Sequence, residues 1–150
     1  MTIAVDFDGT IVEHRYPEIG KELPFATATL RRLIEDGHKL ILWSVREGQL
    51  LDDAVEWCRK RGVVFYAVNK DYDEDTPEKN ASYSRKLKVS MFIDDRNVGG
   101  LPDWGTIYRI INERVSYAEI LLDEPAPRHS RKKGWWPFWP LSPVHAKGPD

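Results

Sequence analysis

The 150-residue sequence has a single cysteine, Cys58. One cysteine excludes an internal disulfide and any zinc site built from several thiolates. Its neighbours Leu50, Leu51, Ala54 and Val55 fall at helical spacing, so Cys58 is expected to be a buried core thiol rather than a nucleophile. No apolar run approaches about 18 residues, so no segment is expected to span a membrane. No basic region precedes an apolar stretch at the N-terminus; a secretory leader is therefore not expected, and a reducing cytoplasm is the default. The formal net charge is only −2, which supplies no global attraction to nucleic acid or to an anionic membrane. No internal repeat is present.

What the chain does have is short apolar runs alternating with amphipathic stretches. "TIAVDF" (2–7), "KLILWS" (39–44), "GVVFYAVN" (62–69) and "VSMFID" (89–94) read as buried strands, apolar on both faces as parallel strands are. Between the first two, Ala26, Leu30, Leu33 and Ile34 form one helical face that ends at Asp36-Gly37. Between the second and third, Leu50, Leu51, Ala54, Val55, Trp57 and Cys58 do the same, ending at Gly62. After the fourth, Asp103 is placed to cap a helix carrying Ile107, Ile111, Val115, Ala118 and Leu122. This order predicts an α/β domain over residues 1–122: a three-layer, doubly wound parallel sheet of Rossmann-like type.

Two stretches break the pattern. Residues 70–82, "KDYDEDTPEKNAS", are acidic and polar and read as a loop. Residues 123–150 hold six of the ten prolines and three of the six tryptophans, with charge +2 against −4 for the rest. They read as a tail separate from the domain. Its stretch "RHSRKKGWWPFWPLSP" (128–143) joins a basic run to Trp135, Trp136 and Trp139. Free in water those indoles would expose a large apolar patch, so docking as an extended segment on its own domain or on a second copy, giving a homo-oligomer, is the expectation. The prolines argue against an amphipathic membrane helix, the lack of another basic surface argues against stacking on single-stranded nucleic acid, and a plain disordered tail is the alternative.

Ligands of open parallel sheets bind at the carboxyl ends of the strands. Here those ends collect polar groups. The first run ends with Asp6, Asp8 and Thr10, and the second with Ser44 and Arg46. The third ends with Asn69 and Lys70. The fourth is preceded by Lys86 and Lys88 and ends with Asp94-Asp95-Arg96. Several carboxylates, a hydroxyl and a lysine at one edge suit a hard, oxygen-seeking cation together with a phosphate. Mg²⁺ would relieve the repulsion among the carboxylates.

These residues resemble the motifs of the haloacid dehalogenase (HAD) superfamily. "DFDGT" matches its first motif, Asp-x-Asp-x-Thr; Ser44 matches the second; Lys86 stands where the lysine of the third does, with Lys88 as the alternative; Asp94-Asp95 match the acidic fourth. The resemblance covers about residues 1–122 and is nearest to small, cap-poor proteins of the superfamily. It implies a Mg²⁺-dependent phosphatase. Asp6 would be the nucleophile that becomes an aspartyl phosphate, and Asp8 the general acid–base. Asp6, Asp8, Asp94 and Asp95 would hold the metal, with Asp8 also offering its backbone carbonyl. Ser44 would bind a phosphoryl oxygen, and Lys86 would neutralise nucleophile and phosphate. Thr10 is placed as a further substrate contact. Arg46, two past Ser44, suits a second phosphate contact or an ion pair with Glu47 or the acidic loop. His14, just after the first motif, reads as an exposed loop histidine, with a proton donor or substrate contact as the alternative; Asn69 and Lys70 are candidates for the mouth of the site, and Arg96 and Asn97 for holding the loop after the fourth strand.

Members of this superfamily often insert a cap domain between motifs. Only 33 residues separate Thr10 from Ser44, and 41 separate Ser44 from Lys86. A helix and a strand use most of each interval, so the expected site is open and has minimal or no cap. The substrate is a phosphorylated compound whose identity the sequence does not specify. The superfamily includes polynucleotide 3′-phosphatases, but no basic surface outside the tail supports a nucleic-acid substrate. A response-regulator receiver domain is disfavoured because it needs an aspartate after the third strand, where this chain has Asn69-Lys70. The alternative function is a catalytically weak or inactive HAD-fold binding or regulatory protein.

Overall fold

The computed structural model describes residues 1–72, 74–79, 84–116 and 118–120. The tail at 123–150, Leu122 and part of the acidic loop lie outside these residues. Four strands, β1 (Thr2–Val5), β2 (Lys39–Leu42), β3 (Ala67–Val68) and β4 (Met91–Ile93), form one sheet in the order β3-β2-β1-β4. All three pairings are parallel. The α/β reading and its parallel sheet therefore hold.

Register carries this fold to its site. Val5 pairs with Leu42 on one side and Ile93 on the other, and Leu42 pairs with Val68. All four strands thus stop at the same level. The ladder runs one residue further: Asp6 N–H donates to the Ile93 carbonyl, Trp43 N–H to Val5 and Asn69 N–H to Leu42, at 2.8–2.9 Å. Asp6, Ser44, Asn69 and Asp94 are consequently delivered to one edge.

The helices follow from local chemistry. In α1 (Ala26–Glu35), Ala26, Leu30 and Leu33 are buried. Its N-cap, Phe25, has no capping side chain; instead Glu22 accepts from the Thr27 N–H (3.0 Å) and hydroxyl (2.6 Å), satisfying donors that the first turn leaves open. The helix ends at Asp36-Gly37, as the sequence predicts, with His38 N–H returning to the Leu33 carbonyl. Helix α2 (Gly48–Arg59) buries Ala54 and Cys58. Burial pushes the Cys58 thiol up to about 12, so it is an inert core group. In α3 (Trp104–Glu113), Asp103 accepts from the Thr106 N–H, the expected cap.

Three expectations need correction. Helix α3 does not run to residue 122: it stops at Arg114, which takes a left-handed φ of 56°. A new helical turn begins beyond it because Ser116 and Glu119 cap each other, Ser116 N–H to Glu119 Oε2 and Glu119 N–H to Ser116 Oγ. The third apolar run yields only two strand residues, since β3 lies at the sheet edge and leaves Val64 and Tyr66 exposed. Finally, all three helices pack on one face of the sheet, against Ile3, Val5, Leu40, Leu42 and Ile93. The other face, Ala4, Ile41 and Ala67, is covered by Leu87 and Val89 of the irregular segment before β4. Among the described residues no helix forms a third layer there. No helix among these residues is long and apolar enough to cross a membrane.

Candidate active site and metal centre

The turn after β1 is built around one glycine. Gly9 has φ +88°, open to glycine at little cost. An added Cβ would lie 2.3 Å from Asp95 Oδ2 and 2.7 Å from its Cγ. The Asp95 carboxylate thus packs directly on the Gly9 backbone. Thr10 locks the two loops: its hydroxyl donates to Asp6 Oδ2 (3.1 Å) and accepts from the Asp95 N–H (3.0 Å). The Trp104 indole, on α3, donates to the Thr10 carbonyl. Thr10 is fully buried, so it joins loops rather than meeting substrate as the sequence reading had it.

The result is a convergence of carboxylates. One oxygen each from Asp6, Asp94 and Asp95 all lie within 4.8 Å of one another. Asp94 Oδ1 also accepts from the Arg96 N–H, and Asn97 Nδ2 donates to the Asp94 carbonyl, fixing that loop. Asp95 Oδ1 is buried and has no hydrogen-bond partner, a costly state for a carboxylate oxygen. Burial, and then the charges of Asp94 and Asp95, push Asp6 up to about 6 against the downward pull of hydrogen bonds from Phe7 N–H and Thr10. An orphaned buried oxygen, a glycine cradle and three hard oxygen donors fit a small divalent cation such as Mg²⁺.

Asp8 is not part of this cluster. Its carboxylate is held by Arg46, Nε to Oδ2 at 2.6 Å and NH2 to Oδ1 at 2.7 Å, and is nearly buried. Arg46 itself has no exposed surface. The expectation of Arg46 as a phosphate contact is therefore corrected: the side chain is fully buried and its Nε, NH1 and NH2 donate to Asp8 and to the Pro17 and Glu18 carbonyls. The alternative ion pair with Glu47 is not formed either; the partner is Asp8.

Ser44 follows β2 by two residues. Asn69, which adopts φ 54°, clamps its backbone from both sides: Ser44 N–H donates to Asn69 Oδ1, and Asn69 Nδ2 donates to the Ser44 carbonyl, both at 2.8 Å. The Ser44 hydroxyl accepts from the Arg46 N–H at 3.2 Å and keeps its own proton to donate. Asp6, Asp8, Ser44 and Asp94 line one cleft of about 760 Å³, together with Asn69, His14, Tyr16, Trp43, Arg85 and Arg96. Lys86 does not line it. Lys86 and Lys88 are both exposed, and the Lys88 N–H is tied to Asp71. The cation that the segment before β4 presents to the cleft is Arg85. Sequence reasoning passed over Arg85 because "RKLK" offers several cations on chain with no period to tell their sides apart.

Two expected outcomes follow. Gly9→Ala should cost at least about 2 kcal/mol, about 1–2 of it from the left-handed backbone and the rest from displacing Asp95. Urea unfolding measures it, and wild-type stability would mean that the cradle is loose. Mg²⁺ should raise the melting temperature, and this gain should shrink as pH falls through 6, because protons then compete for the Asp6 carboxylate. Calorimetric melts across pH 5–8, with and without Mg²⁺, would reveal a pH-independent gain if Asp6 were not a ligand.

No family model matches the sequence, and no curated protein matches it. A solved structure, that of a conserved protein coded by a locus from Bacteroides thetaiotaomicron, is 66% identical, with the match covering 80% of this chain and 96% of that one at a TM-score of 0.74. At that identity and coverage, the chain belongs to the same family as this conserved Bacteroides thetaiotaomicron protein.

Proposed function

We propose that the protein is a Mg²⁺-dependent phosphoric monoester hydrolase of the HAD type, acting through an aspartyl phosphate. The observation that carries this reading is the convergence of Asp6, Asp94 and Asp95 at the floor of a cleft that Asp6 and Asp94 line together with Ser44, with Asp95 Oδ1 buried and unpartnered. Asp6, Asp94 and Asp95 would hold the metal. Bound there, Mg²⁺ would neutralise the carboxylates and the incoming phosphate.

The chain's own groups then divide the work. An Asp6 oxygen attacks phosphorus, and the ester oxygen leaves with the bonding pair. Asp8, ion-paired to Arg46, relays to that oxygen a proton that it first takes up from solvent. In the second half, Asp8 takes a proton from water, whose oxygen attacks the aspartyl phosphate, releasing inorganic phosphate and restoring Asp6. Ser44 donates to a phosphoryl oxygen from its clamped position. Arg85 and Arg96 supply positive charge at the cleft, the role the sequence reading gave to Lys86. The cleft is open, so a broad range of small phosphate esters should gain entry.

The test is turnover of p-nitrophenyl phosphate with Mg²⁺ and with EDTA. Activity should be lost in chelator and return with excess Mg²⁺; full activity in EDTA would overturn the reading. A second reading, a HAD-fold binding or regulatory protein with weak or no turnover, is favoured by the position of Lys86 outside the cleft. Mg²⁺ binding without turnover of any ester in a broad phosphate library would select it.

A further inference from the structure

Residues 13–21 form a loop without helix or strand, closed at its neck. Glu13 N–H donates to the Lys21 carbonyl (2.7 Å) and Leu23 N–H to Ile11 (2.9 Å). Gly20 is so near Glu13 that an added Cβ would lie 2.1 Å from its carbonyl oxygen. The tip carries His14 and Tyr16 to the cleft. One side chain from elsewhere reaches into that tip. Arg46 NH1 donates to the Pro17 carbonyl and NH2 to the Glu18 carbonyl, both at 2.9 Å. Its other bonds go to Asp8. The guanidinium lies 5.2 Å from the Phe7 ring and 5.3 Å from the Tyr16 ring.

We propose that Arg46 is a positioning residue that joins Asp8 to the 13–21 loop, so that the loop stands as a fixed wall of the cleft in place of a separate cap. The inference rests on the hydrolase reading above and deepens it. Arg46 is suited to the task because its planar fork bonds a carboxylate and two carbonyls at once. A lysine offers a single charged centre and cannot hold all three in one plane. Arg46 also leaves β2 beside Ser44, whose hydroxyl accepts its N–H. One residue therefore sets Asp8, the loop and Ser44 relative to one another. A proton donor displaced by about 1 Å loses about a hundredfold in rate.

The experiment compares wild type, Arg46→Lys, Arg46→Ala and Asp6→Asn as full-length, Mg²⁺-supplemented protein. Turnover of p-nitrophenyl phosphate and trypsin cleavage at Arg15 and Lys21, both in the loop, are the readouts. Arg46→Lys should stay folded, lose about a hundredfold in kcat, and be cleaved at Arg15 and Lys21 faster than wild type, with cleavage elsewhere unchanged. Low, non-denaturing guanidinium should restore part of the Arg46→Ala rate at a folded fraction that circular dichroism shows unchanged; a rate that rises only in step with the folded fraction would mean that Arg46 acts on stability alone and overturn the positioning role. An active wild type, an inactive Asp6→Asn and a wild-type-like Arg46→Lys would overturn this proposal alone. Equal turnover by wild type and Asp6→Asn would overturn the hydrolase reading, and the proposal with it.

Discussion

Asp6→Asn should abolish turnover and, in the absence of metal, make the protein more stable. The two effects have one cause. Asp6 directly follows β1 and stands inside the carboxylate cluster, where burial and the charges of Asp94 and Asp95 raise it from 3.8 to about 6. Its proton is thus held more tightly in the folded chain than in the unfolded one. The resulting stability is fully present below about pH 4 and is lost as pH rises through 6. Above that, ionised Asp6 costs the metal-free protein about 2–3 kcal/mol, at about 1.4 kcal/mol per pKa unit. Asparagine keeps the shape and removes the charge, so the variant should gain up to that amount at pH 8 and nothing at pH 4. Turnover should fall at least about a thousandfold, because in the proposed mechanism Asp6 is the group that forms the phosphoryl–enzyme bond. Urea unfolding at the two pH values, beside p-nitrophenyl phosphate kinetics, provides the check. A stable, fully active Asp6→Asn would remove Asp6 as nucleophile; a destabilised one at pH 8 would mean the cluster is not repulsive. Asp8→Asn should instead slow both half-reactions while leaving the Asp6, Asp94 and Asp95 cluster intact.

Arg46→Leu should be among the most destabilising single changes in the domain. Arg46 and Asp8 form a two-point ion pair with no exposed surface on the arginine. Removing one partner strands the other charge in the interior, which costs about 3–5 kcal/mol. The Pro17 and Glu18 carbonyls lose their donor as well. Against a typical stability of about 5–15 kcal/mol, this brings the domain close to unfolding. The pair differs from the surface bridges, such as Arg59–Glu56, which are solvated and contribute little. The double change Arg46→Leu with Asp8→Leu should recover part of the loss, since it leaves no stranded charge. Denaturant unfolding of the four proteins forms a complete cycle. Additive losses would show that the two side chains are not coupled.

Much of the frame was written locally. Runs of β-branched and apolar residues set β1, β2 and β4, since only buried parallel strands use such residues on both faces. Asp36-Gly37 and Asp103 marked helix ends because left-handed turns and caps have short-range chemistry. Asp6, Ser44, Asn69 and Asp94 could be assigned to one edge from the sequence, because each follows an apolar run directly and parallel strands share their carboxyl ends. Where the deciding partner lies far along the chain, the sequence was silent. Arg46 had equal claim to a phosphate or an acid until the fold brought Asp8, 38 residues away, within 2.6 Å. Thr10 read as a substrate contact because nothing local shows that Asp95 and Trp104 enclose it. Lys86 and Arg85 are neighbours on irregular chain, where no period fixes which side faces the cleft. The Ser116–Glu119 pair competed with a continuous helix and prevailed once Arg114 took its left-handed turn. The side of the sheet that helices cover depends on where each crossover lands, and strand order settles that only in three dimensions. The sequence thus determined which chemical groups the strand ends carry; tertiary packing decided which of them face each other, because charge pairing and burial act through space and not along the chain.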